Sequence, residues 1–114
     1  MVIGLSKNKT PLEREEQRAL VKKLRRSGLF IYAIPNHKDM NGNEGALAGI
    51  PDLQICLEGG KVIWIELKRT KGGVLSPAQK EIHARLEALG HTVIIGYGAK
   101  DAFDKLGEHT DLIF

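Results

Sequence analysis

A chain of 114 residues with 42% hydrophobic and 27% charged residues can bury one modest core but not two, and it reads as a soluble globular protein. Its one cysteine, Cys56, rules out a disulfide within the chain; no apolar run approaches the ~20 residues of a membrane span, and residues 1–10 lack the apolar core of a secretory signal, so a cytoplasmic location is expected. The net charge of +3 is small but uneven: residues 1–26 hold eight Lys or Arg against three Glu, residues 61–80 five against one, and the last sixteen residues two against four. Two basic segments and an acidic end suit a phosphate-backbone partner.

Thr10-Pro11 predicts the start of a helix, with Thr10 as N-cap, Pro11 in the first position and Glu13 three residues after the cap. The helix should run to about Ser27 and stop at Gly28. Its apolar positions Leu12, Leu20, Val21 and Leu24 define a stripe that also holds Glu13 and Gln17, so a carboxylate and a carboxamide turn inward near the first turns. Glu15 lies off that stripe and Glu16 at its edge. Leu29 to Ile34 predicts a strand, ended by Pro35-Asn36, and the polar, glycine-rich stretch 36–49 is a candidate substrate-contacting flap. Leu53 to Leu57 and the run from Val62 predict two strands joined by a reverse turn at Glu58-Gly59-Gly60-Lys61. Ser76-Pro77-Ala78-Gln79 opens a second helix through a Ser-x-x-Gln box; it should continue to Leu89, with Ile82, Leu86 and Leu89 on the core face, and stop at Gly90. Thr92 to Tyr97 reads as a last strand and Lys100 to Leu106 as a short final helix. This order places one mixed sheet against helices.

The chemistry concentrates in Gly49-Ile50-Pro51-Asp52 and Ile65-Glu66-Leu67-Lys68. Residues two apart in a strand share a face, so Glu66 and Lys68 project together while Ile63, Ile65 and Leu67 project to the other side. The hairpin returns Asp52 beside Glu66. A carboxylate inside an otherwise apolar strand is rare unless paired or metal-bound, and two hard oxygen ligands suit a magnesium ion that draws its remaining ligands from water and phosphate. Lys68, Arg69 and Lys71 gather positive charge beside that pair. Trp64 falls on the Glu66 face. The histidines at 37, 83, 91 and 109 have no zinc-site spacing, Cys56 is better explained as a small core residue, and six aromatics without interleaved basic residues do not make a base-stacking platform.

These two motifs, followed in order by Leu75-Ser76-Pro77-Ala78-Gln79 and Leu89-Gly90-His91-Thr92-Val93, resemble the VRR-NUC family of the PD-(D/E)XK nuclease superfamily. Glu13-Arg14-Glu15-Glu16-Gln17 is similar to the family's opening Glu-x-x-x-Gln helix, and Tyr32-Ala33-Ile34-Pro35-Asn36 also takes part, so the resemblance covers roughly residues 10–106 of a chain that it treats as one nuclease domain, 1–114. It implies an α/β, restriction-endonuclease-like core of helix, three strands, helix and strand, with a mixed central sheet flanked by helices. It further implies a Mg²⁺- or Mn²⁺-dependent endodeoxyribonuclease that cleaves branched DNA, including four-way junctions, as a homodimer in a bacterial or phage-infected cell. Carried over by position, Asp52, Glu66 and the Leu67 carbonyl would be metal ligands, Lys68 the motif lysine, and Gln79 the glutamine of the later helix. Glu13 would be the first-helix acid of the metal shell, with Glu16 as the alternative. Asn36, Lys68, Arg69 and Lys71 are the expected DNA contacts. An exonuclease, nickase or flap nuclease with the same site, and an inactive DNA-binding module, are the other readings. Leu29 to Ile34, the 36–49 stretch and the tail Leu112-Ile113-Phe114 are candidate dimer surfaces.

Overall fold

The computed structural model of the chain describes residues 11–35, 45 and 47–110. The Thr10 cap, Asn36 with most of the 36–49 stretch, and the tail Leu112-Ile113-Phe114 lie outside the described residues. The elements in chain order are α1 (Pro11–Arg26), β1 (Phe30–Ala33), β2 (Leu53–Cys56), β3 (Val62–Lys68), α2 (Pro77–Ala88), β4 (Thr92–Tyr97) and α3 (Ala99–Leu106). The strands form one sheet in the order β1-β2-β3-β4. The first two pairings are antiparallel and β3 runs parallel to β4, because α2 carries the chain back over the sheet before β4 begins. The hairpin between β2 and β3 turns through a short 3₁₀ segment, Glu58–Gly60.

Paired residues on neighbouring strands share a face of the sheet. Register therefore lines up Leu53, Ile65 and Ile94 on one side, and Ile31, Ile55 and Ile63 beside them. All six are buried, and with Leu20 and Leu24 of α1 and Ala102 and Leu106 of α3 they make the core. The opposite face carries Tyr32, Gln54, Trp64 and Glu66, and α2 lies over it. Tyr32 donates its hydroxyl to the Gln54 carboxamide across the β1–β2 pair.

Two leucines depart from the predicted apolar faces. Leu12 is 61% exposed and Leu89 is 76% exposed. Leu12 sits in the first turn of α1, on the wall of an open cleft beside the end of β3. Leu89 repeats the angular position of Ile82, but it is the C-cap of α2, where the chain turns through Gly90 into β4 with nothing packed above it. The short α2 buries only Ile82 and His83 fully.

Docking of α1 against α3 is fixed by a polar contact. Gly98, the N-cap of α3, offers no side chain, and Glu16 supplies one from α1: its Oε1 accepts the Ala99 N–H at 2.6 Å. A carboxylate at a helix N-terminus satisfies an orphan donor and meets the positive end of the dipole. Nearby, Lys23 Nζ lies 4.0 Å from the centre of the Phe103 ring. The close approach of α3 to β4 requires Gly96, where an added Cβ would stand 2.4 Å from Ala102 Cβ. Gly96→Ala should therefore lower the unfolding free energy by about 1–3 kcal/mol. Chemical denaturation monitored by circular dichroism measures that loss, and an unchanged midpoint would mean that α3 can be displaced freely.

Candidate active site

Hairpin register assembles the site. Leu53 pairs with Ile65, so one step further along the two antiparallel strands Asp52 stands opposite Glu66. Asp52 Oδ2 accepts the Leu67 N–H at 2.8 Å, which fixes its carboxylate against the end of β3. The N–H and C=O of a strand residue leave from the same edge of the strand, so the Leu67 carbonyl faces the Asp52 side as well. The rest of the Gly-Ile-Pro-Asp motif serves placement. Pro51 is fully buried. Gly49 has φ 96°, and a Cβ there would lie 2.5 Å from the Ala78 carbonyl oxygen. The residue three before Asp52 is thus pressed against the first turn of α2 and needs both the left-handed backbone and the missing side chain.

That first turn presents Gln79. Ser76 and Gln79 form a reciprocal capping box: the Gln79 N–H donates to Ser76 Oγ at 3.1 Å, and Gln79 Oε1 accepts the Ser76 N–H at 2.9 Å. With its oxygen occupied by the cap, the carboxamide has its nitrogen free to turn to the sheet, and Nε2 donates to Glu66 Oε2 at 3.1 Å. Capping and contact with the site are two uses of one side chain, not competing ones. The other carboxylate oxygen of Glu66 meets His83, whose Nε2 lies 3.5 Å away, too far for a well-formed hydrogen bond. Among the described residues, Glu66 Oε1 and both ring nitrogens of His83 are buried without a hydrogen-bond partner.

Glu66 is only 2% exposed. Burial pushes its carboxyl up from 4.5 to about 7; the His83 contact and the Lys68 charge oppose the rise, and the Asp52 carboxylate adds to it. Two adjoining carboxylates, one buried with an unpartnered oxygen, are short of positive charge. Among the described residues no group of three or more His, Cys, Asp or Glu is arranged to hold a metal ion. Asp52 and Glu66 supply two oxygen donors, a set that fits Mg²⁺ or Mn²⁺ completed by a carbonyl, water and phosphate oxygens, and not a closed all-protein cage.

Around this pair the other sequence-derived candidates are spread. Lys68 is half-buried at the end of β3 and lines a small cleft with Leu12, Glu13, Glu16, Leu67 and Arg69. Glu13 is half-buried there, whereas Glu16 is engaged by α3; the two acids left open by spacing thus have different surroundings. Arg69 and Lys71 are exposed beyond the strand. Trp64 packs edge-on against His91, with ring centres 6.1 Å apart, one register step from the site. His83 is the site residue that sequence reasoning passed over. Its signal was the i, i+4 spacing from Gln79, which puts both on one face of α2. A search for zinc spacing does not detect a histidine facing a strand carboxylate.

No family model matches the chain. Among solved structures, one described as "VRR_NUC domain" aligns with a TM-score of 0.68 and 25% identity, covering 88% of this chain and 98% of that one. The chain has the fold of a VRR-NUC domain. A second structure, "VRR_NUC domain protein", shares the fold at a TM-score of 0.75 and 24% identity over 91% of this chain and 92% of that one. In sequence, 47 residues are 47% identical to "Putative nuclease p44" of Acyrthosiphon pisum secondary endosymbiont phage 1, a match over 41% of this chain and 50% of that protein. The aligned part of the chain thus spans about half the length of that curated relative. No helix among its described residues is long and apolar enough to cross a membrane.

Folding raises the Glu66 pKa, so the folded state holds that proton more tightly than the unfolded chain. The penalty for the ionised carboxylate is absent below 4.5 and fully felt above about 7, so stability falls as pH rises through that window. Glu66→Gln, a neutral isostere, should be more stable than the parent at about pH 8, by up to about 3 kcal/mol, with the margin closing toward pH 4.5. Urea unfolding in chelator across that range tests the sign; a margin that widens on acidification would contradict it.

Proposed function

We propose that the protein is a Mg²⁺- or Mn²⁺-dependent DNA endonuclease that hydrolyses phosphodiester bonds in branched DNA, four-way junctions foremost, and acts as a homodimer in the cytoplasm. The observation that carries the chemistry is the buried Glu66 carboxylate set opposite Asp52 at the strand ends, with Lys68 projecting beside it. The nuclease name borne by the phage relative supports the same reading.

In this reading Asp52, Glu66 and the Leu67 carbonyl would hold the cation, and Glu13 would join them from α1, directly or through water. A bound divalent cation supplies Lewis acidity toward the scissile phosphate and lowers the pKa of the attacking water. Gln79 keeps the Glu66 carboxylate in one orientation, and the capping box keeps Gln79 in place. Lys68 orients the attacking water or offsets negative charge that develops on the phosphorane oxygens. Attack in line with the leaving oxygen breaks the phosphorus–oxygen bond. Arg69, Lys71 and Asn36 take neighbouring phosphates, which position the DNA without reading its sequence. Paired, opposed cuts in a four-way junction require two sites, and each chain contributes a single Asp52–Glu66 pair; that requirement favours a dimer. The whole chain, with its core at about residues 10–106, would then be one nuclease unit.

Purified protein with Mg²⁺ or Mn²⁺ should be given a labelled four-way junction, flaps, linear duplex and single strand, and sized on a calibrated column. Symmetric junction cuts by a dimer are expected. Trimming from ends would make it an exonuclease, and binding without cutting in either metal would make it an inactive module. Asp52→Ala, Glu66→Ala and Lys68→Ala should each reduce cleavage at least about a hundredfold while junction binding persists. Full cleavage by Glu66→Ala would sink the assignment. Gln79→Glu separates the two uses of that side chain: the Ser-x-x-Glu box still caps α2, but a second carboxylate replaces the donor to Glu66. Helix content should hold and cleavage should fall, whereas unchanged rates would reduce Gln79 to a cap.

A further inference from the structure

A second feature lies outside the carboxylate site. Between α1 and the edge strand β1 runs an open groove of about 670 Å³, lined by Arg14, Arg18, Lys22, Arg25 and Arg26 and reaching Ala33. Residues 14, 18, 22 and 26 recur every four positions, so they stand in a row along one side of the helix. Like charges at that spacing repel one another, so the row carries a local cost to the helix. Among the described residues, the side chains of Arg18, Lys22 and Arg26 make no ion pair or hydrogen bond, although their backbones belong to α1. Arg25 instead spans the groove, with Nη2 3.2 Å from the Ile31 carbonyl oxygen, and so helps to set its width.

The groove is aligned with the site. Ala33 pairs with Leu53, and the Ile34 N–H donates to the Asp52 carbonyl at 2.7 Å, so one end of the groove adjoins the strand end that bears Asp52. Arg14 follows Glu13, which lines the Lys68 cleft. From Arg14 to Arg26 the helix rises about 18 Å, which equals about five base-pair steps of 3.4 Å measured along a DNA duplex axis.

We propose that this groove holds the sugar-phosphate backbone of the DNA duplex as it leaves the active site, with Arg18 and Lys22 each meeting a phosphate; the proposal rests on the nuclease reading above. A symmetric contact of this face with its copy on a second chain would bring two rows of cations together, so the charge favours a polyanion over a second subunit.

The test is binding, not cleavage. A fluorescein-labelled four-way junction in EDTA is titrated with protein at several salt concentrations, and the slope of log affinity against log salt is compared between parent and Arg18→Gln/Lys22→Gln. Each lost phosphate contact removes about 0.9 from the slope for duplex DNA, so the double variant should be shallower by about 1.8 and Lys22→Gln alone by about 0.9. The charge-conserving pair Arg18→Lys/Lys22→Arg should keep the parent slope. Both glutamines fall on the exposed side of a helix and suit it, and thermal melts verify folding. An unchanged slope in the neutral variant overturns the proposal. So does an unchanged slope accompanied by dissociation on a sizing column, which would make the groove a contact between chains. Parent protein that binds no DNA at all would instead defeat the nuclease reading, and this proposal with it.

Discussion

Placing a carboxylate in the middle of the sheet, where it is 2% exposed, constrains almost everything around it. A buried ionised group must be hydrogen-bonded, paired or neutralised, and each neighbour of Glu66 answers that demand differently. Gln79 donates one hydrogen bond, His83 stands within 3.5 Å without completing another, and Asp52 brings a second negative charge into the same space. The arrangement leaves one Glu66 oxygen without a hydrogen-bond partner among the described residues, a deficit that positive charge would relieve. The strand pairing, the cap of α2 and the glycine three residues before Asp52 all serve to hold this carboxylate pair together.

Much of this was legible because it depends on local periodicity. The two-residue period of β3 fixes which side Glu66 and Lys68 share, and a hairpin turn of defined length fixes Asp52 opposite Glu66. Caps and glycines gave the ends of α1 and α2 to within a residue or so, and Thr92–Tyr97 formed a strand with the expected bounds. What was not legible depends on where elements lie in space. Glu13 and Glu16 cannot be told apart by spacing, and the difference arises because α3 comes to Glu16. His83 stands out only once α2 is known to cover the Glu66 face. Leu89 has the right helical angle and the wrong position along the axis, because α2 ends where the chain turns back to the sheet.

The charge distribution follows the same division. That α1 is basic is plain from composition, but a basic helix alone describes a surface and not a channel. The channel exists because β1 closes one side of it and Arg25 reaches across to the Ile31 carbonyl. Lys23, equally basic by sequence, is directed to Phe103 and takes no part. Helix geometry sorts the cations of one segment between packing and display.

The hydrogen bond from Ala99 to Glu16 joins residues 83 positions apart. In synthesis α1 is made well before α3, so its polar docking partner comes late. Until then Leu20 and Leu24 lack Ala102 and Leu106 as partners, and that part of the core is unfinished. Closure of a loop that long comes late in folding. The strands that carry Asp52 and Glu66 lie between Glu16 and Ala99 in the chain, so the carboxylate pair can form through hairpin pairing before α1 and α3 dock.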